Sequence, residues 1–279
     1  MQLAPVTCKN CGNRFQGKYC NDCGEKVYTE HDKKISHFFE ESLHFITHFD
    51  NKFLLSFWLM FTKPGFVAKE FSEGKRKKYF SPVSMFLIGV VIYLLFPFLQ
   101  GMNISFANHL NNNNYLHFYA LENWAVYKAT AQHISLDALA EKFDHLSPKF
   151  SKVLLLVLIP LTALNLAILF RRKRKYYFDH LIIAAEFNSF YLYFSFMILP
   201  LIVTLFSKLP GINLDYGDSV LFLSLQGAIT LLWIGTALRR FYQVKYITVI
   251  WKGLLFILMY LIMISIYRLI LFSAVMLFI

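Results

Sequence analysis

Apolar positions along this chain follow two patterns. Long, nearly continuous apolar runs lie at about 82–100, 153–170, 181–206, 220–238 and 253–279, and each is of a length to cross about 30 Å of hydrocarbon, which takes roughly 20 helical residues. Between Ile35 and about Phe61 the pattern is periodic instead. Ile35, Phe38, Phe39, Ser42, Phe45, Ile46 and Phe49 recur at three- and four-residue steps and so share one helical stripe, while His37, Glu41, His44 and His48 occupy the opposite face. This predicts an amphipathic helix leading into the first span, interrupted by Pro64-Gly65 and by Gly74. A second periodic stretch follows the Asn111–Asn114 run, where Leu136, Leu139, Phe143 and Leu146 sit at helical spacing behind Ser135, a residue type suited to an N-cap. The expected fold is all-α: a five-helix transmembrane bundle over 82–279, with a large connecting segment at 101–152.

Composition agrees with bilayer rather than water as the solvent. The 279 residues are 57% hydrophobic and 18% aromatic, with a mean hydropathy of +0.46, too apolar for an ordinary soluble domain. The net charge of +11 is explained by where the basic residues fall, so it is no sign of nucleic-acid binding. Lys63, Lys69 and Lys75–Lys78 precede the first run, Arg171–Lys175 join the second to the third, and Arg239, Arg240, Lys245 and Lys252 join the fourth to the fifth. Lys208 stands alone between the third and fourth, and the 101–152 segment balances four lysines against Glu122, Asp137, Glu141 and Asp144. By the positive-inside rule this alternation predicts a cytoplasmic N-terminus, an extracytoplasmic 101–152 segment and an extracytoplasmic C-terminus. The first 30 residues are polar and lack an apolar core of the signal-peptide kind, so insertion is expected to be directed by the first span.

All four cysteines fall within the first 23 residues, as Cys8-x2-Cys11 and Cys20-x2-Cys23, with Gly12 and Gly24 after the second cysteine of each pair. Tetrahedral thiolate coordination needs two close pairs on tight turns, and glycine relieves the crowding there. A segment this short has little else to hold it, so a bound metal would supply most of its folding free energy. Zinc is the expected cofactor, with a rubredoxin-like iron site the other thiolate tetrahedron. Disulfides conflict with the cytoplasmic side set by the charges, and a redox pair usually occurs singly on a thioredoxin-like fold. Four thiolates leave no open position, which makes residues 1–30 a structural zinc ribbon, followed by the amphipathic and basic juxtamembrane segment 31–81.

Taken in order, the four cysteines with Gly24, Thr62-Lys63-Pro64-Gly65, Glu70-Phe71, Gly74-Lys75-Arg76 and Tyr79-x-x-Pro82 resemble a bacterial membrane family known as domain of unknown function 3667. The resemblance covers about the first third of the chain, with Phe71 where the family has tyrosine. It implies a bacterial inner-membrane protein and brings no activity. The five-span layout is also similar to that of Yip1-type membrane proteins.

Other candidate sites are sparser. His37, Glu41, His44 and His48 share a face and are candidates for a second metal, against the reading of a solvated polar face. Lys75, Arg76, Lys77 and Lys78 are candidates for an anionic lipid headgroup, each basic residue near an anionic leaflet gaining about 1 kcal/mol without specificity. Within the spans the polar residues are Asn165, Glu186, Asn188, Gln226 and Arg268. Intramembrane ionisable groups are costly to desolvate and so are functional candidates. Glu186 and Arg268 differ in depth by about 15 Å at 1.5 Å per residue, so no pairing is expected between them. His109, His117, His133 and Asp137 complete the inventory. No nucleophile elbow, zinc-protease helix or phosphate loop is present, and no catalytic residue is assigned. The expectation is a non-enzymatic scaffold or regulator that docks a cytoplasmic protein partner and contacts anionic headgroups, with lipid handling or small-molecule transport as the alternative.

Overall fold

Two short hairpins open the chain and a bundle of helices follows. The structure, a computed structural model, describes residues 5–27, 51–95, 104–110, 119–174, 176–206 and 220–279. The histidine stripe from His37 to His48, most of the amphipathic helix and His117 lie outside the described residues.

In the first hairpin, β1 (Val6–Thr7) pairs antiparallel with β2 (Arg14–Phe15), Val6 opposite Phe15 and Thr7 opposite Arg14. In the second, Tyr19 bridges Lys26. The two tips repeat the same turn. The Gly12 amide donates to the Cys8 carbonyl at 2.9 Å, and the Gly24 amide to the Cys20 carbonyl at 2.9 Å. The Cys8 and Cys20 amides in turn donate to the Asn13 and Glu25 carbonyls, each at 2.8 Å. Gly12 and Gly24 have φ of 80° and 69°, the left-handed region that side-chain-bearing residues enter only at a cost.

The helices are α1 (Asn51–Thr62), α2 (Phe66–Ser72), α3 (Pro82–Leu95), α4 (Phe106–Leu110), α5 (Tyr119–Ala131) and α6 (Leu136–Leu154). They continue with α7 (Leu158–Phe170), α8 (Tyr177–Tyr193), α9 (Leu199–Phe206), α10 (Val220–Tyr242) and α11 (Tyr246–Phe278). Among the described residues three stretches are long and apolar enough to cross a membrane: Leu136–Phe170, Tyr177–Leu205 and Tyr246–Phe278. Pro82–Leu95 is apolar but shorter, and residues 96–100 of its apolar run lie outside the description.

Ser135 caps α6 as its sequence suggests, its hydroxyl accepting from the Ala138 amide at 3.1 Å. The helix it starts does not stop short of the second span, however. It runs on into it, interrupted by a tightened turn at Leu155–Val157. Pro160 follows that turn, and a wide π-turn at Phe194–Ile198 precedes Pro200 in the same way between α8 and α9. Proline lacks an amide hydrogen and its ring presses on the carbonyl four residues back, so a change of helical pitch just before it relieves both problems.

Helix α8 is the centre of the bundle. Every residue from Phe178 to Phe190 is buried, including Asp179, His180, Glu186, Asn188 and Ser189. Helix α3 packs on it at Gly89, where an added Cβ would lie 2.9 Å from Leu192 Cδ2 and 3.0 Å from Tyr193 Cζ. Close approach through a small residue is how helices gain packing where hydrocarbon supplies no hydrophobic drive. On the other side α1 sets Phe57 edge-to-face with Tyr193 and Phe61 edge-to-face with Phe190, with ring centroids 5.0 and 5.5 Å apart. Its outward face carries Leu54, Leu55 and Trp58, all exposed. This part of the expected amphipathic helix is therefore apolar on both faces, as an element in contact with lipid would be.

At the far end from the ribbon, α4, α5 and the start of α6 cover the end of α11. Lys128 donates to the Met276 carbonyl and Gln132 to the Ile279 carbonyl, at 2.9 Å for the latter, satisfying acceptors that a helix end leaves open. Gly89→Val is expected to overpack the α3–α8 contact and lower stability by about 1–3 kcal/mol. Thermal unfolding in detergent measures it, and a wild-type midpoint would contradict the packing described.

Candidate functional site

The four cysteine sulfurs lie within 4.8 Å of one another. Cys8 Sγ is 3.5 Å from Cys23 Sγ and Cys11 Sγ is 3.6 Å from Cys20 Sγ, and all four are free thiols. A disulfide would need about 2.05 Å. Zinc–sulfur bonds of about 2.3 Å in a tetrahedron put the sulfurs about 3.8 Å apart, so the donor set fits a metal ion. The surrounding amides prepare it. Cys20 is pulled down to about 6 by the Cys23 amide and then the Asp22 amide, and Cys23 is lowered by the Asn10 side chain and the Glu25 amide. Cys11 is pushed up to about 12; the Asn13 amide opposes the shift, which comes from burial and from the neighbouring thiols Cys23, Cys20 and Cys8. Four thiols in one pocket cannot all ionise without a cation to share.

The ribbon does not hang free of the bundle. Glu25, 4% exposed, accepts a hydrogen bond from the Lys77 amide at 2.7 Å. Burial raises its pKa, opposed by the Lys77 and Arg76 amides. Around this bond the surfaces meet closely. A Cβ on Gly24 would lie 3.7 Å from Lys77 Cε, and one on Gly74 would lie 3.3 Å from Lys9 Cδ. A cleft of about 70 Å³ remains between Val6, Phe15, Glu25, Val27 and Gly74.

Lys77 belongs to a helix-turn unit whose polar backbone is held by side chains from distant helices. Gly65, at φ 73°, turns the chain from α1 into α2 so close to α10 that a Cβ would lie 2.6 Å from the Ala237 carbonyl oxygen. That turn leaves the first amides of α2 without helical acceptors. Glu186 supplies them: its carboxylate accepts from Gly65 N at 2.9 Å and from Ala68 N at 2.5 Å. The positive end of a helix dipole favours an anion there. On the carbonyl side of the turn, Arg240 donates to Pro64 O and Trp233 Nε1 donates to Met60 O at 2.8 Å.

The other end of α2 closes itself. Lys75 N donates to Glu70 O at 3.0 Å and Gly74 N to Phe71 O at 3.2 Å, a Schellman pairing with Gly74 at φ 99°. Lys75 Nζ is 2.6 Å from Glu70, and the Arg76 guanidinium lies 5.0 Å from the rings of both Phe71 and Phe178. Tyr79 sets its ring edge-on to Phe66, the Phe80 amide donates to Ser56 Oγ, and Ser189 Oγ donates to the Pro82 carbonyl.

Residues 50–94 match DUF3667, described as a protein of unknown function. No curated protein and no solved structure matches the chain. The DUF3667 stretch contains the whole helix-turn unit, from α1 through Gly65 and Gly74 into α3. Its holders, Glu25, Glu186, Trp233 and Arg240, all lie outside it.

The remaining candidates are dispersed. Asn188 donates to Thr162 Oγ1 at 3.1 Å and to Ala184 O at 2.8 Å, and so works between α8 and α7 rather than at the turn. Asn165 is buried in α7, and Gln226 is half-buried on α10. Arg268 lies near His109 at the far end, where burial first and then that positive charge push the imidazole down to about 4. His109 packs between Phe143 and Phe272 at 5.5 and 5.4 Å, while His133 and Asp137 are exposed. Lys77 and Lys78 are exposed, unlike Lys75 and Arg76. Glu25, Trp233 and Arg240 are not among the site residues that the sequence pattern points to. Glu25 follows the second knuckle directly and Arg240 was counted among topology-setting charges, but nothing local marks either as a backbone clamp.

Elemental analysis of purified protein is expected to find one metal ion per chain, falling to near zero in Cys20→Ser. A metal-free wild type would remove the centre. At the turn, Glu186→Ala leaves two buried amides without acceptors and is expected to cost roughly 2–5 kcal/mol, whereas Glu186→Gln keeps one carbonyl oxygen and costs less. Equal midpoints for the two variants in thermal unfolding would rule out the carboxylate clamp.

Proposed function

We propose that the chain is a non-enzymatic scaffold or regulator of the bacterial inner membrane, with five spans and a cytoplasmic zinc ribbon that docks a protein partner. The observation that carries this reading is the use made of Glu186. An acid in a membrane helix is a first candidate for chemistry or transport, and here its carboxylate is engaged by the Gly65 and Ala68 amides. Asn188 is engaged elsewhere, with Thr162 and Ala184, so Glu186 and Asn188 do not share one reactive cluster.

Two further spans follow from α3 with its apolar continuation to residue 100, and from α10, 23 residues long. The cytoplasmic side is supported by the gathering of basic segments at the ribbon end. There Lys77 meets Glu25, Arg174 approaches Glu73 at 3.5 Å, and Arg240 reaches Pro64. Four thiolates in a closed tetrahedron favour zinc in a structural role. On the ribbon Arg14, Lys18, Asn21 and Tyr19 are exposed, Tyr19 at 60%. An exposed aromatic among polar residues suits a protein partner.

The exposure of Lys77, Lys78, Arg171, Arg172 and Lys173 on the same side favours anionic headgroups as a second ligand and keeps lipid handling as the alternative. A photo-crosslinking residue at Tyr19 in living cells separates the two. The scaffold reading expects a discrete protein adduct that disappears in Cys20→Ser. No adduct at Tyr19, together with a stoichiometric lipid in native mass spectrometry that is lost on Lys77→Glu and Lys78→Glu, would replace it with the lipid reading.

A further inference from the structure

We infer that metal occupancy of the ribbon sets the conformation of the 74–80 loop through Glu25, so that the ribbon is a metal-dependent latch on the DUF3667 unit. The inference rests on the ribbon being a metal site.

The first step is that the ribbon has no fold apart from its metal. Its buried cluster is Cys8, Phe15 and Cys20, with Cys23 and Val27 packed against it, so three of five members are ligands. A cluster of this size cannot offset the ordering of some 20 residues, and small metal domains of this kind unfold when the ion is removed. The second step is that Glu25 is placed by the metal turn itself. It follows Cys23-Gly24, and its own carbonyl accepts from the Cys20 amide at 2.8 Å, a bond that exists only while the second knuckle is formed.

Within the DUF3667 unit, the 74–80 loop is flanked by anchored points: before it Glu186 holds Gly65 and Ala68, and after it Ser56 of the unit's own α1 holds Phe80 and Ser189 holds Pro82. Between these points the Lys77 amide is received by Glu25, while Lys9 and Gly24 pack on Gly74 and Lys77. Loss of the metal withdraws all three contacts together. The residues released are those that present Lys77 and Lys78 to the surroundings, so metal occupancy would govern how that charge is displayed.

Coupling of this kind is reciprocal: if metal holds the latch, the latch holds the metal by the same factor. A residue that is no ligand must then affect metal retention. In full-length protein in nanodiscs, hydrogen–deuterium exchange of peptides over 74–80 is expected to rise at least tenfold on chelation, in Cys20→Ser and in Glu25→Ala, with peptides over 139–146 unchanged. Glu25→Ala is expected to keep one metal per chain but release it to a chelator roughly tenfold faster, a coupling of the usual allosteric size. Glu25→Gln retains an acceptor oxygen and is expected to restore both readings toward wild type. Loop exchange that ignores chelation, or metal release from Glu25→Ala at the wild-type rate, overturns the latch while leaving the metal site standing. Absence of metal from the wild-type protein would instead overturn the site on which it rests.

Discussion

The carboxylate of Glu186 against the first amides of α2 is the interaction around which the bundle is organised. A chain that turns at Pro64-Gly65 inside an apolar bundle exposes amides and carbonyls that no water can reach, and lipid-facing backbone cannot leave them unpaired. A buried carboxylate is itself costly. Together the two problems cancel: the amides need an acceptor, the acid needs donors, and the helix dipole and Arg240 both favour the negative charge. The requirement then propagates. Gly65 must lack a side chain to let α10 approach, α10 must bring Trp233 and Arg240 to the carbonyls on the other side of the turn, and α8 must be buried all round to keep the acid dry.

Glu25 repeats the same chemistry at the other end of the unit. In a chain with a net charge of +11, the two acids that secure the DUF3667 segment accept from backbone amides and not primarily from cations. An ion pair at a surface is worth little and is screened by salt, whereas a buried charge-assisted bond to a fixed amide has one geometry and one register. The difference suits a unit whose position relative to the bundle matters more than its strength of attachment.

What could be read in the sequence follows from how local each determinant is. Cys8 to Cys23 lie within one short segment, so ligand spacing alone gave the sulfur cluster, and the Ser135 cap and the long apolar runs are likewise local. The Glu186 clamp joins residues 121 positions apart and leaves no trace in spacing. Glu186 was visible as an anomaly, an acid in a span, but its partner was not. The start of α8 shows the opposite failure: the apolar run begins at about 181, yet the polar Asp179 and His180 before it are buried too, and His180 Nδ1 lies 2.7 Å from the Tyr242 hydroxyl. The outward face of α1 is obscured for a related reason, because a pattern judged against water does not anticipate Leu54, Leu55 and Trp58 exposed on a helix whose other face is buried.

The basic residues carry the deepest ambiguity, since one statistical rule accounts for all of them and the fold divides them. Arg76 lies between two aromatic rings, Arg240 holds Pro64 and Arg174 reaches Glu73 and the Phe241 carbonyl, so their charge is committed within the protein. Lys77, Lys78, Arg171, Arg172 and Lys173 remain exposed. A leaflet of anionic headgroups attracts both groups alike at long range, but close approach is left to the second. Lys77 is the residue where the two roles meet: its amide is bound by the ribbon through Glu25, and its side chain is exposed beside Gly24. On the proposed latch, loss of the metal would reach this exposed residue first, through Glu25.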